Sequence, residues 1–294
     1  MYRVSETTIY VMSKDNPPAM TVRSGDIIVF ETRNCFNNQI TDGTEPIEGM
    51  DWEQVNPATG PVFIEGAQVN DTLKIRILDI EIAPWGIMAA IPGAGVLGGK
   101  VTTSQVKRIP IVDGMAIFSP DIKVSCSPMI GVIGVAPKGE GVPCGVPDVH
   151  GGNMDNNRIK QGATLYLPVF HEGALLAMGD VHAAMGDGEI MVTGIEISGE
   201  ITVKVEVMEQ VTITNPRLED ANYCYTIASH EDLETAIGIA TEEMTQIVMA
   251  QLGLSFNEAG MLLSAAGDLQ ICQVVDPKRT VRFAMPKSIL PSMF

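Results

Sequence analysis

The chain has 294 residues with 36 Asp and Glu against 19 Lys and Arg, a formal charge of −17 at pH 7. Phosphate recognition needs clustered cations, so this balance argues against nucleic acid and against anionic membrane surfaces as partners. At 45% apolar and 19% charged residues, the chain can bury a sizeable core and is not disordered; its length fits one large domain or two closely joined ones.

The first ten residues hold no apolar run behind basic residues, and no stretch reaches the roughly 18 apolar residues of a membrane span, so a cytoplasmic protein is expected. Five widely spaced cysteines, with no Cys-x-x-Cys pair, argue against a disulfide framework and a zinc knuckle. Residues 27–32 follow a Ser24-Gly25-Asp26 turn and read as a strand, as do 62–64 and 73–82. From Thr72 to Ile82 the alternation is nearly strict, with Leu73, Ile75 and Ile77 inward. That phase puts Asp79 on the inward face too, where a carboxylate needs a partner or a metal, unless the strand has already frayed there.

Residues 84–100 form a glycine-rich apolar loop containing a formal G-x-G-x-x-G from Gly93 to Gly98. A dinucleotide site would need a helix straight after it, and 101–111 instead reads as extended, so a loop close to a small ligand or a neighbouring subunit is expected. From 120 to 155 the chain is rich in Gly and Pro with two short apolar pieces, 129–135 and 146–149. It ends in His150-Gly151-Gly152-Asn153-Met154-Asp155, which sets an imidazole and a carboxylate beside glycines.

The densest chemistry lies at residues 179–189, GDVHAAMGDGE. Apolar and β-branched runs flank it, and in a strand Asp180 and His182 would share a face, a start for a metal site or a proton-transfer pair. Asp187-Gly188 is equally a tight-turn signal, so a plain hairpin with solvated carboxylates is the competing reading. Residues 200–214 alternate again; then the character changes. Ser229 is expected to cap a helix over 230–252 that stops at Gly253, and Ser255 with Glu258 forms a capping box for a shorter helix to Gly267. Two extended pieces, 269–275 and 280–284, close a chain divided into a β-rich core over 1–215 and an α+β part over 216–294. His171 and His230 look like turn and helix-start residues, and the 17 methionines read as core filling.

GDVHAAMGDGE, with HGGNMD and a Leu-Tyr-Leu-Pro-Val strand before it, resembles the signature of the acetamidase/formamidase family. The matching positions are Gly179, Asp180, His182, Gly186, Asp187, Gly188 and Glu189, and supporting blocks run nearly end to end: Phe30-Glu31-Thr32, Cys35 to Ile40, Gly60-Pro61-Val62 and Pro128 to Pro137. Met185 stands where many members have Gln, and Asn34 where many have Asp. The resemblance implies an all-β core of sandwich or barrel type with a smaller α+β part, a homo-oligomer, a divalent metal (zinc, or calcium), and hydrolysis of short aliphatic amides to carboxylate and ammonia. A metal answers the chemistry, because it polarises the carbonyl or lowers the pKa of bound water to about 7. His182, Asp180 and His150 are the expected ligands, with Asp155 and Asp79 as further ligands or supports. Glu189 is the expected general base, and Asn153 or a backbone N–H of Gly151-Gly152 the donor to the oxyanion. Two alternatives stay open: a non-catalytic metal- or ligand-binding β protein, and a hydrolase of another small or cyclic amide.

Overall fold

The computed structural model describes residues 1–41, 43 and 47–294. The alternating stretches become strands, and the fold is mainly β with a small C-terminal helical part. Among the described residues, a nine-stranded sheet runs Tyr2–Val4, Ile27–Thr32, Gly199–Met208, Thr72–Ile82, Thr164–Pro168, Arg217–Glu219, Tyr223–His230, Arg279–Pro286 and Asp268–Gln273. The N-terminal and C-terminal strands are therefore joined in one sheet through Thr164–Pro168, which pairs with Thr72–Ile82 on one side and Arg217–Glu219 on the other. A second, eleven-stranded sheet is built around Leu176–His182, which pairs with Met129–Gly134, with Ala58–Glu65 and with Glu196–Ile197. Phe30, Ile75, Ile77 and Val203 of the first sheet pack with Val62, Ile130, Met178 and Val181 of the second in one core.

Leu176–His182 is buried along its whole length. Both of its edges are paired and both faces covered, which is why its sequence is nearly continuous in apolar character before Asp180. The piece at 129–135, expected as a short apolar stretch within loops, is a fully buried strand, Met129–Gly134. Its glycines hide the strand signal in the sequence, and Gly131 has a specific reason to be there: a Cβ would lie 2.5 Å from Asp155 Oδ1 and 2.7 Å from Asp180 Oδ2.

Helix α1, Leu233–Leu252, is capped by Asp232, whose carboxylate accepts from the Thr235 N–H at 2.7 Å. The expected start at Ser229 and His230 is corrected, because both residues continue the strand Tyr223–His230 in register with Arg279–Pro286. Gly253 ends α1 in the left-handed conformation, and the capping box of Ser255 and Glu258 opens α2, Phe256–Ala266. The helices cover one face of the C-terminal strands through a second core that includes Ala240, Met244, Val248, Leu263 and Val281.

The loop at Gly93 to Gly98 is followed by a 3-10 turn and a strand, not by an α-helix. It packs on residues 190–192: the Val96 N–H donates to the Ile190 carbonyl at 2.8 Å, and Gly95 lies against Met191. Its close backbone approach thus buttresses the segment that carries Glu189.

Candidate active site

The site forms at one end of Met129–Gly134. His182 lies opposite Met129 in the neighbouring strand and opposite Glu196 on the other side. Register alone therefore sets Glu196 beside His182, with Glu196 Oε2 3.1 Å from Nε2. Asp180, two residues back on the same face, puts Oδ1 3.4 Å from the same nitrogen, and Asp155 Oδ1 lies at 3.9 Å. The shared face of Asp180 and His182 is thus observed. No hairpin forms at Asp187-Gly188; Gly188 bridges to Gln273, and the segment turns back so that Glu189 joins Asp155 and His182 within ligand distance of one another.

Asp155, Asp180 and Glu189 all hold left-handed backbones, with φ of 43°, 54° and 46°. Such residues cost roughly 1–3 kcal/mol each and persist only where the surroundings determine them. Here the surroundings are named: Val192 N–H to Glu189 O at 2.9 Å, Glu189 N–H to Gly186 O at 3.2 Å, and the strand pairing around Asp180.

The electrostatics follow from burial. Asp155, Glu189 and Glu196 are all under 7% exposed. Burial, reinforced by neighbouring carboxylates, pushes the Asp155 and Glu189 carboxyls well above the usual range and Glu196 up to about 7. Burial pulls His182 down, but Glu196 and Asp180 outweigh it and hold the imidazole protonated well above its ordinary value. Two groups of atoms lie close enough to share an ion: Asp155, His182 and Glu189, and Cys35, Asp180 and Glu196. Both oxygens of Asp155, Asp180 Oδ1, Glu196 Oε2 and His182 Nδ1 are buried without a hydrogen-bond partner. Orphaned carboxyl oxygens converging on one imidazole are costly as they stand, and a divalent cation among them would remove that cost, so the residues fit one.

Beside these groups is a cavity of about 160 Å³ whose polar wall is Asn153, Asp180, Glu189, Glu196 and Asp276, with Phe36, Trp52 and Ile91 as apolar wall. Asn153 Nδ2 donates to Asp276 Oδ2 at 2.9 Å, and the Gly151 N–H donates to the Asp148 carbonyl. One N–H of the Asn153 amide and the Gly151 N–H thus have protein acceptors.

Two expected ligands are not brought to the centre. A β-bulge between Ile77 and Asp79 shifts the phase of Thr72–Ile82, so Ile80 rather than Asp79 turns into the core; Asp79 is half-buried in the other sheet. His150 precedes Gly151–Asn153, which pairs at the far end of the central strand, with Gly151 opposite Gly134. Five residues of strand, roughly 16 Å, therefore separate that end from His182. Asn34 and Met185 are also away from the cavity wall: Asn34 exchanges hydrogen bonds with Asn38 to fold the turn carrying Cys35, and the Met185 carbonyl accepts from Asn157.

Glu196, Asp276 and Arg282 had no local signal in their own stretches, and Cys35 stood only in a family-matching block with no role attached. Cys35 is no activated nucleophile, since burial and then Glu196 and Asp180 push its thiol well above the usual value. Arg282, fully buried, reaches from the C-terminal sheet to Asp187 Oδ2 at 2.6 Å and Asn156 Oδ1 at 3.0 Å, and Asn157 also donates to Asp187. Asp187 thus anchors the 185–189 turn.

A two-sheet β protein with a buried carboxylate and imidazole centre opening on a small cavity has the parts of a hydrolase for small molecules. The sequence profile of the acetamidase/formamidase family matches residues 11–141 and 139–291, and the chain belongs to that family. It is accordingly a hydrolase of carbon–nitrogen bonds other than peptide bonds. It is similar to the crystal structures of an acetamidase from Bacillus halodurans (45% identity, 98% of each chain, TM-score 0.96) and of a predicted acetamidase/formamidase from Thermoanaerobacter tengcongensis (46% identity, 99% of this chain and 97% of that one, TM-score 0.96). It is also 25% identical to the formamidase of Methylophilus methylotrophus, over 83% of this chain and 75% of that protein.

Proposed function

We propose that the chain hydrolyses short aliphatic amides of the formamide and acetamide type to a carboxylate and ammonia in the cavity beside His182. The observation that carries this reading is the size and polarity of that space: about 160 Å³, with four carboxyl groups on one wall and apolar side chains on another. Ligand sites for drug-sized molecules run from roughly 300 Å³ upward, so this one suits a substrate of a few heavy atoms.

Asp155 and His182, with Asp180, Glu196 and Cys35 adjoining, would hold a divalent metal, with Glu189 close enough to serve it. Zinc suits the mixed carboxylate, imidazole and thiol donors, and the excess of oxygen keeps calcium as the alternative. When bound, such an ion supplies Lewis acidity toward the carbonyl or toward water. The chain's own residues do the rest. Glu189, at the cavity wall with its carboxyl raised well above the usual range by burial, takes a proton from the attacking water and returns it to the departing nitrogen. Phe36 and Ile91 exclude water from the acyl side.

The five cysteines are free and four are buried, which fits a reducing, cytoplasmic setting. A homo-oligomer is supported by Ile122 and Val124, exposed at 53% and 40% on the edge strand Ile122–Ser125 of the second sheet, an unpaired edge that a second copy would cover. No helix among the described residues is long and apolar enough to cross a membrane.

Ammonia release from formamide, acetamide and propionamide should be measured on the protein as purified, after chelation, and after zinc is restored. Release that falls with chelation and returns with zinc is the expected result. No release from any of the three with metal present would sink the proposal.

A further inference from the structure

The C-terminal loop between Gln273 and Arg279 enters the site, bringing Asp276 to the cavity wall. We propose that Asp276 is a specificity residue for the nitrogen end of the amide: its carboxylate accepts the substrate N–H2 and then the departing ammonium, and Asn153 fixes its orientation. This rests on the amide-hydrolysis reading of the same cavity.

The geometry carries it. Asp276 lines the cavity with Glu189 and Asp180, and it is half-buried where Asp155 is closed off. One oxygen, Oδ2, takes the Asn153 Nδ2–H at 2.9 Å, which orients the carboxyl group, and burial together with the neighbouring Asp155 and Asp180 carboxyls holds Asp276 well above the usual carboxylate range. The loop is held at both ends. Gln273, fully buried, accepts the N–H groups of Val275 and Asp276 at 2.9 and 3.0 Å and donates to the Lys278 carbonyl at 2.6 Å. Lys278 in turn pairs with Asp148, in the turn that leads into Gly151–Asn153. Both members of the Asn153 and Asp276 pair are thus tied to the same framework. A fixed group of this kind is what orientation of a small substrate needs.

The chemistry asks for such a group. As water's oxygen bonds to the carbonyl carbon, the C–N bond breaks and nitrogen gains both protons of that water, leaving as ammonium beside a carboxylate product. The nitrogen end therefore presents two N–H donors at the start and a cation with four at the finish. A carboxylate is the matching acceptor for that cation, since charge-assisted hydrogen bonds are about twice as strong as neutral ones and a cation beside Asp276 favours the charged form that its carboxyl neighbours oppose. The acyl end meets Phe36, Trp52 and Ile91 instead.

The two products separate this assignment from a structural role, because each samples half of the site. Acetamide hydrolysis is followed with added ammonium chloride or sodium acetate at fixed ionic strength, for the wild-type protein, Asp276→Asn, Asp276→Ala and Asn153→Ala. Ammonium inhibition should weaken by about tenfold or more in Asp276→Ala, with acetate inhibition changed by less than about twofold. Asp276→Asn keeps an acceptor for Asn153 and should lose less; Asn153→Ala should shift ammonium inhibition in the same direction. If ammonium and acetate inhibition weaken together, or ammonium inhibition does not move, the assignment is wrong. Calorimetry of ammonium chloride on the resting protein keeps the two readings apart. Ammonium binding weakened in Asp276→Ala, in a chain that hydrolyses no amide, would overturn the hydrolysis reading and leave Asp276 standing only as an ammonium site. Turnover with unaltered ammonium binding would do the reverse.

Discussion

The two ends of the central strand Met129–Gly134 each carry a buried histidine, and the two end in opposite states. His182, at the Met129 end, is surrounded by Glu196, Asp180 and Asp155 and is held protonated. His150, at the Gly134 end, is just as buried, and burial, the largest influence on it, lowers its pKa to about 4 although Asp148 raises it; Lys278 lowers it further. Both have ring nitrogens without partners. Burial by itself therefore makes a neutral, inert imidazole; converging carboxylates make a centre that can take a cation or a proton.

The sharpest break of this comparison is His182→Ala. It should lower amide hydrolysis by about 10³-fold and lower bound divalent metal, checked by ammonia release and metal analysis on the same preparation. Retained metal and turnover would remove the distinction between the two ends.

Arg282→Met tests whether the His182 end depends on its C-terminal anchor. It leaves Asn156 and Gln270 without their buried donor, while Asp187, whose side chain is 40% exposed, can turn to water. A loss of about 3 kcal/mol in urea unfolding is expected, with a fall in turnover as the 185–189 turn loosens.

At the other end, His150→Leu should change the pH dependence of stability. The folded pKa of about 4 lies below the unfolded value of about 6.5. In that window the unfolded chain binds more protons, so the wild-type stability associated with His150 is complete above pH 6.5 and is lost as pH falls toward 4. The loss amounts to roughly 3 kcal/mol. Unfolding curves of the variant between pH 7 and 4 should lack that slope, and amide turnover at pH 7 should track the wild type far more closely than His182→Ala does.

The smallest effect is expected at Asp79→Asn, on the sheet away from the site. Stability should stay within about 0.5 kcal/mol, and metal content should not move. Loss of metal in this variant would mean that Asp79 reaches the centre after all.

Local order was legible. Alternation over Thr72–Ile82 and over 200–214, the Gly253 stop and the capping box at Ser255 all rest on neighbours a few residues apart, and the structure realises them, except that the second strand, Gly199–Met208, ends six residues before 214. Asp180 and His182 on one face were legible for the same reason. Where one residue broke a period, the reading failed: the bulge beside Asp79 turned the strand's phase, and the glycines of Met129–Gly134 disguised a buried strand.

By itself the sequence determined the cluster at residues 179–189, because strand periodicity and two glycine-flanked carboxylates act within one turn or one strand. Only the tertiary structure decided what joins it. Strand register sets Glu196 opposite His182 and sends His150 to the far end of the same strand. The turn after Ile27–Thr32 delivers Cys35, and a buried Gln273 aims Asp276 into the cavity from the C-terminal part. Those contacts join residues as many as 241 positions apart, as Cys35 and Asp276 are on the shared wall. Such pairs leave no mark in local spacing, since sheet pairing and core packing bring them together and not the path of the chain between them.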